Sequence, residues 1–334
     1  MARPRLTFAC ELDPDHLTAL FANGAVVEDL QALDARVALM LSDFSEARAA
    51  VVQQLNAAGI PVIAIPLMPY DHGYYFTVEN APRAQARHDE WKDWSARHNL
   101  AWAGVGLDIE PEARVFEQIM SSRWGLVPML VRRLGRTEQA ERARTLYSGL
   151  IDQMRSDGYR VENYQFPIMA DERRARSTLL QRLLGIVDIT TDREVWMLYT
   201  SFMRGIGPAM VWTYGREARA VAVGTTGGGP DIPGHPQMPV LSWDELVRDL
   251  RMAVHWCDDI YIHSLEGCVW QGFLPRLRAF DWRPATTPPD GVWLAASLRR
   301  TLRGALWASA HPWRVLGSAV AVAWIVRRWR AARR

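Results

Sequence analysis

Cysteine is scarce in this chain. Its 334 residues hold three, Cys10, Cys257 and Cys268, with no CxxC pair. That excludes a zinc ribbon and a disulfide-framed small domain, and points to a reduced compartment. Cys10 and Cys268 fall at the first and last expected strands, so a bridge between them is within reach if those strands are neighbours. HxH and HExxH are missing as well. A metal-dependent hydrolase therefore has no motif behind it, and neither metal nor cofactor is expected. The opening turn Glu11-Leu12-Asp13-Pro14 lacks the glycines of a dinucleotide-binding sheet. No apolar leader precedes Leu6-Thr7-Phe8-Ala9-Cys10, so the cytoplasm is the expected location.

Acid is missing from the C-terminal end. All 37 acidic residues precede Val292 and nine arginines follow it, which leaves residues 1–291 with 30 basic groups against 37 acidic, net −7. A body of that charge has no footprint for nucleic acid, so no nucleic-acid partner is expected.

What is present is a repeated alternation of short apolar runs with stretches of helical spacing. Strands are expected at residues 6–12, 36–42, 61–68, 103–110, 160–168, 194–201, 220–225 and 259–265, the number that closes a (β/α)8 TIM barrel, an α/β fold, over residues 1–283. Start signals fall between them. Asp13 opens the first helix, Ser42 to Ser45 precede Glu46, and Ser242 with Glu245 forms a capping box. Residues 113–158 are expected to hold two or more helical pieces broken near Pro128 and Gly135, and residues 224–239 form a Gly- and Pro-rich loop with two readings, a mobile surface loop or one in which Thr225, Thr226 and Asp231 approach a ligand.

Barrel chemistry gathers at the carboxyl ends of the strands. The polar residues expected there are Glu11, Asp71, His72, Asp108, Glu110, Asn163, Gln165, Tyr199, Thr225, Thr226, His263 and Glu266. On the fourth strand, Gly104, Gly106, Asp108 and Glu110 share one face, because side chains two apart on a strand point the same way. Two glycines low on that face leave room, and two acids about 7 Å apart repel, raising the pKa of one toward that of a general acid at neutral pH.

Leu107-Asp108-Ile109-Glu110 resembles the D-x-E motif of the glycoside hydrolase superfamily that includes family 18 chitinases and family 25 lysozymes, and Met197-Leu198-Tyr199 resembles part of the chitinase M-x-Y-D segment. The resemblance implies Glu110 as proton donor, Asp108 as its partner, Tyr199 assisting, and Glu11 or Glu266 as second carboxylate. Ala103 and Gly106 replace further chitinase aspartates, Thr200 follows the tyrosine, and Glu11 stands where family 25 enzymes carry an aspartate. Glu11 has a second reading as a cap of the first helix. The expected substrate is a saccharide or glycoconjugate, bound by Asp71, His72, Tyr74, Gln165 and Trp270. Tyr70, Tyr75, Trp102, Trp124, Trp196 and Trp212 complete the aromatics near strand ends, more than half of them expected to be structural. Rival readings are a non-catalytic glycan- or partner-binding barrel, and a metal enzyme using Asp71, His72, Glu110, His263 and Glu266.

Residues 284–291 read as a linker and residues 292–334 as a basic, Trp-rich helical tail. Leu294, Leu298, Leu302, Ala305 and Leu306 mark one helical face, and the charge-free run 315–326 has twelve residues against the roughly twenty that span a bilayer. The expectation is interfacial or re-entrant attachment to an anionic membrane at its cytoplasmic face. The alternative is a helix docked on the acidic barrel.

Overall fold

A computed structural model of the chain describes residues 3–111, 133–229, 239–331 and 333. Trp124, Pro128 and Asp231 lie outside the described residues. Eight strands, β1 (Arg5–Cys10), β2 (Arg36–Leu41), β3 (Val62–Pro66), β4 (Gly104–Asp108), β5 (Val161–Gln165), β6 (Arg193–Met197), β7 (Ala220–Gly224) and β8 (Asp259–His263), form a closed barrel in chain order. Every pairing is parallel, and β1 against β8 closes the ring with Phe8 opposite Ile262. Runs such as Val62–Pro66 and Ala220–Gly224 are buried throughout because the barrel interior takes one face and the helices the other. The strands sit where the sequence places them but stop earlier at their carboxyl ends. After β5 the chain turns at once into a helix at Ile168, and after β6 into a 3₁₀ turn at Thr200.

The helices are α1 (Pro14–Ala22), α2 (Gly24–Ala32), α3 (Glu46–Ala57), α4 (Ala84–Arg97), α5 (Thr137–Ser156), α6 (Ile168–Ala175), α7 (Leu179–Leu184), α8 (Gly207–Gly215), α9 (Trp243–Trp256), α10 (Leu265–Trp270), α11 (Phe273–Arg278), α12 (Val292–Ala310) and α13 (Pro312–Ala331). Their starts follow the side-chain signals. Asp13 accepts from the amides of Asp15 and His16, Ser45 from that of Arg48, and Ser242 with Glu245 closes the capping box at α9. Trp91 and Trp94, three apart on α4, are fully buried and pack with Trp102 and Phe44. Trp102 therefore belongs to the outer core, as do Trp196, edge-on to Tyr214, and Trp212, stacked on His255.

Inside, the barrel is layered. At the amino ends of the strands, Arg36 and Arg193 pair with Asp259 at 2.8 and 2.6 Å, and the Tyr261 hydroxyl donates to Glu162 at 2.6 Å. Above lie Ala9, Ala38, Ile65, Tyr164, Val195 and Ala222. Gly106 does not leave an open space as the sequence suggests. A Cβ there would stand 2.8 Å from the Tyr164 ring and 3.0 Å from Ile65, so the glycine admits the phenol as floor of the mouth. All three cysteines are buried free thiols, and Cys268 faces Thr226 rather than Cys10.

Helix α12 is docked on the barrel, so the alternative reading of this half of the tail holds. Arg299, 5% exposed, binds both carboxylate oxygens of the fully buried Asp171 on α6, donates to the Thr213 carbonyl at 2.7 Å, and lies 3.6 Å over the Tyr214 ring. Ala295 and Leu306 are buried beside it, whereas Leu294 and Leu298, expected on the apolar face, point to solvent. No helix of the described residues is long and apolar enough to cross a membrane.

Candidate active site

Two buried arginines fix the strand ends around the mouth. Arg48 on α3 donates to the carbonyls of Leu12 at 2.7 Å and Met40 at 3.1 Å, and Arg87 on α4 to that of Leu67 at 2.6 Å. Leu12 and Leu67 lie past the ends of β1 and β3, so the arginines supply partners to carbonyls that the strand pairing no longer reaches. On the far side, Phe76 extends the edge of β4. Its amide donates to the Asp108 carbonyl and its carbonyl accepts from the Glu110 amide, both at 3.1 Å, so the backbone stays extended through Ile109. Asp108 and Glu110 consequently keep the same facing, as the alternation requires.

Above the floor opens a cavity of about 1000 Å³. Glu11, just past β1, Asp108 and Glu110 all line it, as do Tyr75, Tyr164, Tyr199, Thr226 and His263. Among the described residues none of the three carboxylates makes an ion pair. Burial pushes the Asp108 carboxyl up to about 7. Burial also takes Glu11 up to about 8, aided by the charges of Asp108 and Glu266 and opposed by the hydrogen bond from Tyr74. Glu110 is raised well above the carboxylate range by burial, then by Asp108 and Glu11. A cluster of this kind cannot carry three negative charges at neutral pH. It therefore holds protons, and because the sites interact the protons belong to the group as a whole.

The neighbouring polar atoms are poised for a ligand. One oxygen of Asp108, the Tyr164 hydroxyl and Nδ1 of His263 are buried with no hydrogen-bond partner among the described residues. His263 stacks on Tyr199 at 5.5 Å, and burial holds its pKa down to about 4, so the ring is neutral. Unpaired buried polar atoms are costly unless something fills the space between them.

Several expected residues lie elsewhere. Asp71 and His72 form an exposed 3₁₀ turn outside the mouth, because Gly73 at φ +104° swings the following tyrosines inward and leaves that turn in solvent. Tyr74 sits behind the wall and donates to Glu11 at 2.8 Å, supporting the carboxylate without lining the cavity. Gln165 and Asn163 have the outward parity of β5, whose inward residues are Glu162 and Tyr164. Gln165 is buried off the cavity and Asn163 bonds Thr191 at 2.5 Å. Glu266 is fully buried behind Glu11, accepting from the amides of Gly229 at 3.0 Å and Glu11 at 3.4 Å, and does not line the mouth. Trp270 does line it, with 60% of its surface exposed at the lip. Thr225 is tied to the Pro239 carbonyl at 2.5 Å, whereas Thr226 lines the wall.

Sequence reasoning missed the apolar residues of the mouth. Phe166, Ile168, Met197, Leu198, Met203 and Met210 all line it, and in a sequence they are indistinguishable from core. For the metal-enzyme reading, no three His, Cys, Asp or Glu side chains among the described residues are arranged to hold a metal ion, and its expected ligands Asp71 and His72 are remote from the carboxylates.

No family model matches the chain, and no curated protein matches it. Solved structures with similar layout include ScGas2 in complex with a small compound, at 12% identity and TM-score 0.38, covering 77% of this chain. The chain spans 55% of the length of that protein. A D-allulose 3-epimerase from Methylomonas sp. has 12% identity and TM-score 0.41 over 90% of this chain and 99% of its own. A putative aldo-keto reductase from Pseudomonas aeruginosa has 9% identity and TM-score 0.39 over 84% and 92%. Similarity at this level carries nothing about activity, and the chemistry has to be read from the cavity itself.

Proposed function

We propose that the barrel is a glycoside hydrolase of the two-carboxylate kind, acting on a saccharide or glycoconjugate. The observation that carries this is the convergence of Glu11, Asp108 and Glu110 on one cavity with no ion-pair partner among the described residues. Glycosidic cleavage asks for a carboxylic acid that keeps its proton near neutral pH and a carboxylate that does not, facing the same bond. Glu110, whose carboxyl is raised by burial and two acidic neighbours, is the proton donor to the glycosidic oxygen. Asp108, raised by burial to about 7, is the partner that as a carboxylate stabilises the positive charge that develops on the sugar ring. Glu11, across the mouth and oriented by Tyr74, is the second carboxylate, and the Tyr199 hydroxyl hydrogen-bonds the reacting group. The D-x-E resemblance to chitinase- and lysozyme-type barrels agrees with these assignments. Glu266 becomes a positioning residue that fixes the backbone of Glu11.

Glu110→Gln keeps size and removes the proton. Across a panel of chromogenic glycosides and polysaccharides its turnover is expected to fall about 10²- to 10⁴-fold, with the melting temperature unchanged or higher. Equal turnover in both proteins removes Glu110 as the acid. If the wild-type protein binds glycans but cleaves none, the barrel is a binding module.

A further inference from the structure

The mouth is divided into two chemically distinct halves. Glu11, Tyr75, Asp108, Glu110 and His263 stand on the side of β8, β1 and β4, whereas the side of β5 to β7 is lined by Phe166, Ile168, Leu198, Met203, Met210 and Val240, with the hydroxyls of Tyr164, Tyr199 and Thr226 among its polar groups. Met203 and Val240 are each 42% exposed, so the apolar half runs from the floor out to the surface. A sugar chain needs hydrogen-bond partners along its whole length, and this half presents few among the described residues. The cavity is also at the upper end of ordinary ligand pockets, which run to about 1000 Å³. We infer that the substrate is an amphiphile, a glycoside whose aglycone is an alkyl, acyl or prenyl chain lying on the apolar half while its sugar meets the carboxylates. This rests on the hydrolase reading.

The test is a series of glycosides sharing whichever sugar is cleaved, with methyl, hexyl, octyl and decyl aglycones, all kept below micelle formation. The expected result is a rise in kcat/KM of about 2- to 4-fold per methylene, flattened in Ile168→Thr and Met210→Gln. In parallel, binding of alkyl 1-thioglycosides, which are not cleaved, is followed by calorimetry. Cleavage that ignores aglycone length overturns the amphiphile and leaves the hydrolase standing. Thioglycoside affinity that climbs with chain length in a protein that cleaves no glycoside overturns the hydrolase and leaves the apolar half as a lipid site. Absence of both effects overturns the two together.

A second inference comes from α13 and is independent of the site. Trp313, Leu316, Val320 and Trp324 recur at helical spacing on one stripe, each more than half exposed, and Arg327, Arg328 and Arg330 follow with no acid anywhere in the helix. An apolar stripe of tryptophans ending in arginines matches the interfacial zone of an anionic bilayer in both polarity and charge. We propose that α13 attaches the protein to an anionic lipid surface. The full chain is expected to co-sediment with phosphatidylglycerol vesicles, weakly with phosphatidylcholine, and to be released by salt. The double variant Trp313→Ser/Trp324→Ser and the variant Arg327→Gln/Arg328→Gln/Arg330→Gln should each lose at least tenfold in partitioning. Failure to bind either vesicle overturns the proposal, as does a stable dimer in solution that these substitutions dissolve, which would make the stripe a contact between two copies.

Discussion

The two ends of the barrel interior treat acid in opposite ways. At the amino ends of the strands, Asp259 and Glu162 are buried, as Glu11 and Asp108 are at the mouth, yet Arg36, Arg193 and the Tyr261 hydroxyl surround them. At the carboxyl ends, Glu11, Asp108 and Glu110 face one another across a cavity with no ion-pair partner among the described residues. The first cluster holds the barrel shut, and its charges are matched inside the fold. The second leaves its desolvation cost uncompensated, as a site does when its partner arrives from outside. Burial alone therefore does not mark a functional acid; burial without a cation, facing an open cavity, does.

The contrast can be broken from the matched end first. Arg193→Met leaves Glu162 and Asp259 short of a partner and is expected to cost about 3–5 kcal/mol of unfolding free energy, read from urea denaturation at pH 7. At the mouth the sign reverses. The folded-state pKa of Asp108, about 7, lies above its unfolded value, so its stabilising proton is fully present below about pH 4 and lost as pH rises through 7. Glu11 does the same up to about 8. Asp108→Asn should accordingly stabilise the fold at pH 8 by on the order of 2 kcal/mol and have little effect at pH 4. A variant that is less stable at pH 8 would mean that the carboxylate has a stabilising partner in the fold.

A smaller effect sharpens the comparison. Tyr74→Phe removes the hydroxyl that opposes the upward shift of Glu11, costing about 1 kcal/mol and moving the Glu11 titration further toward alkaline pH, as followed by carbon-13 carboxyl resonances. An unmoved resonance would show that this hydrogen bond is not made in solution.

The barrel was legible because most strands are buried on both faces and so read as short apolar runs, and because Asp108 and Glu110 extend a strand whose parity Val105 and Leu107 already declare. The same rule failed on β5. Glu162, Asn163 and Gln165 surround Tyr164 with polar groups on both faces, and only the pairing of Glu162 with Arg193 and Tyr261 on other strands says which face is inward. Asp71 and His72 were misplaced by a left-handed glycine, and Glu266 by a helix that turns its carboxylate behind Glu11. The apolar half of the mouth had no signal at all, since methionine and phenylalanine in a cavity wall carry the same pattern as in a core. In the tail, the leucines suggested one face of α12 while a buried Asp171 on the barrel selected another, centred on an arginine.

That docking has a consequence for how the chain is made. Asp171 is fully buried beneath α12, and the guanidinium that neutralises it is 128 residues further along. While the barrel strands emerge from the ribosome in order, α6 and α8 are expected to remain loosely joined until Arg299 arrives, so protease resistance of nascent chains should appear only after lengths that expose residue 299. A nascent chain ending near residue 285 that already resisted digestion between α6 and α8 would show that the barrel completes itself without Arg299.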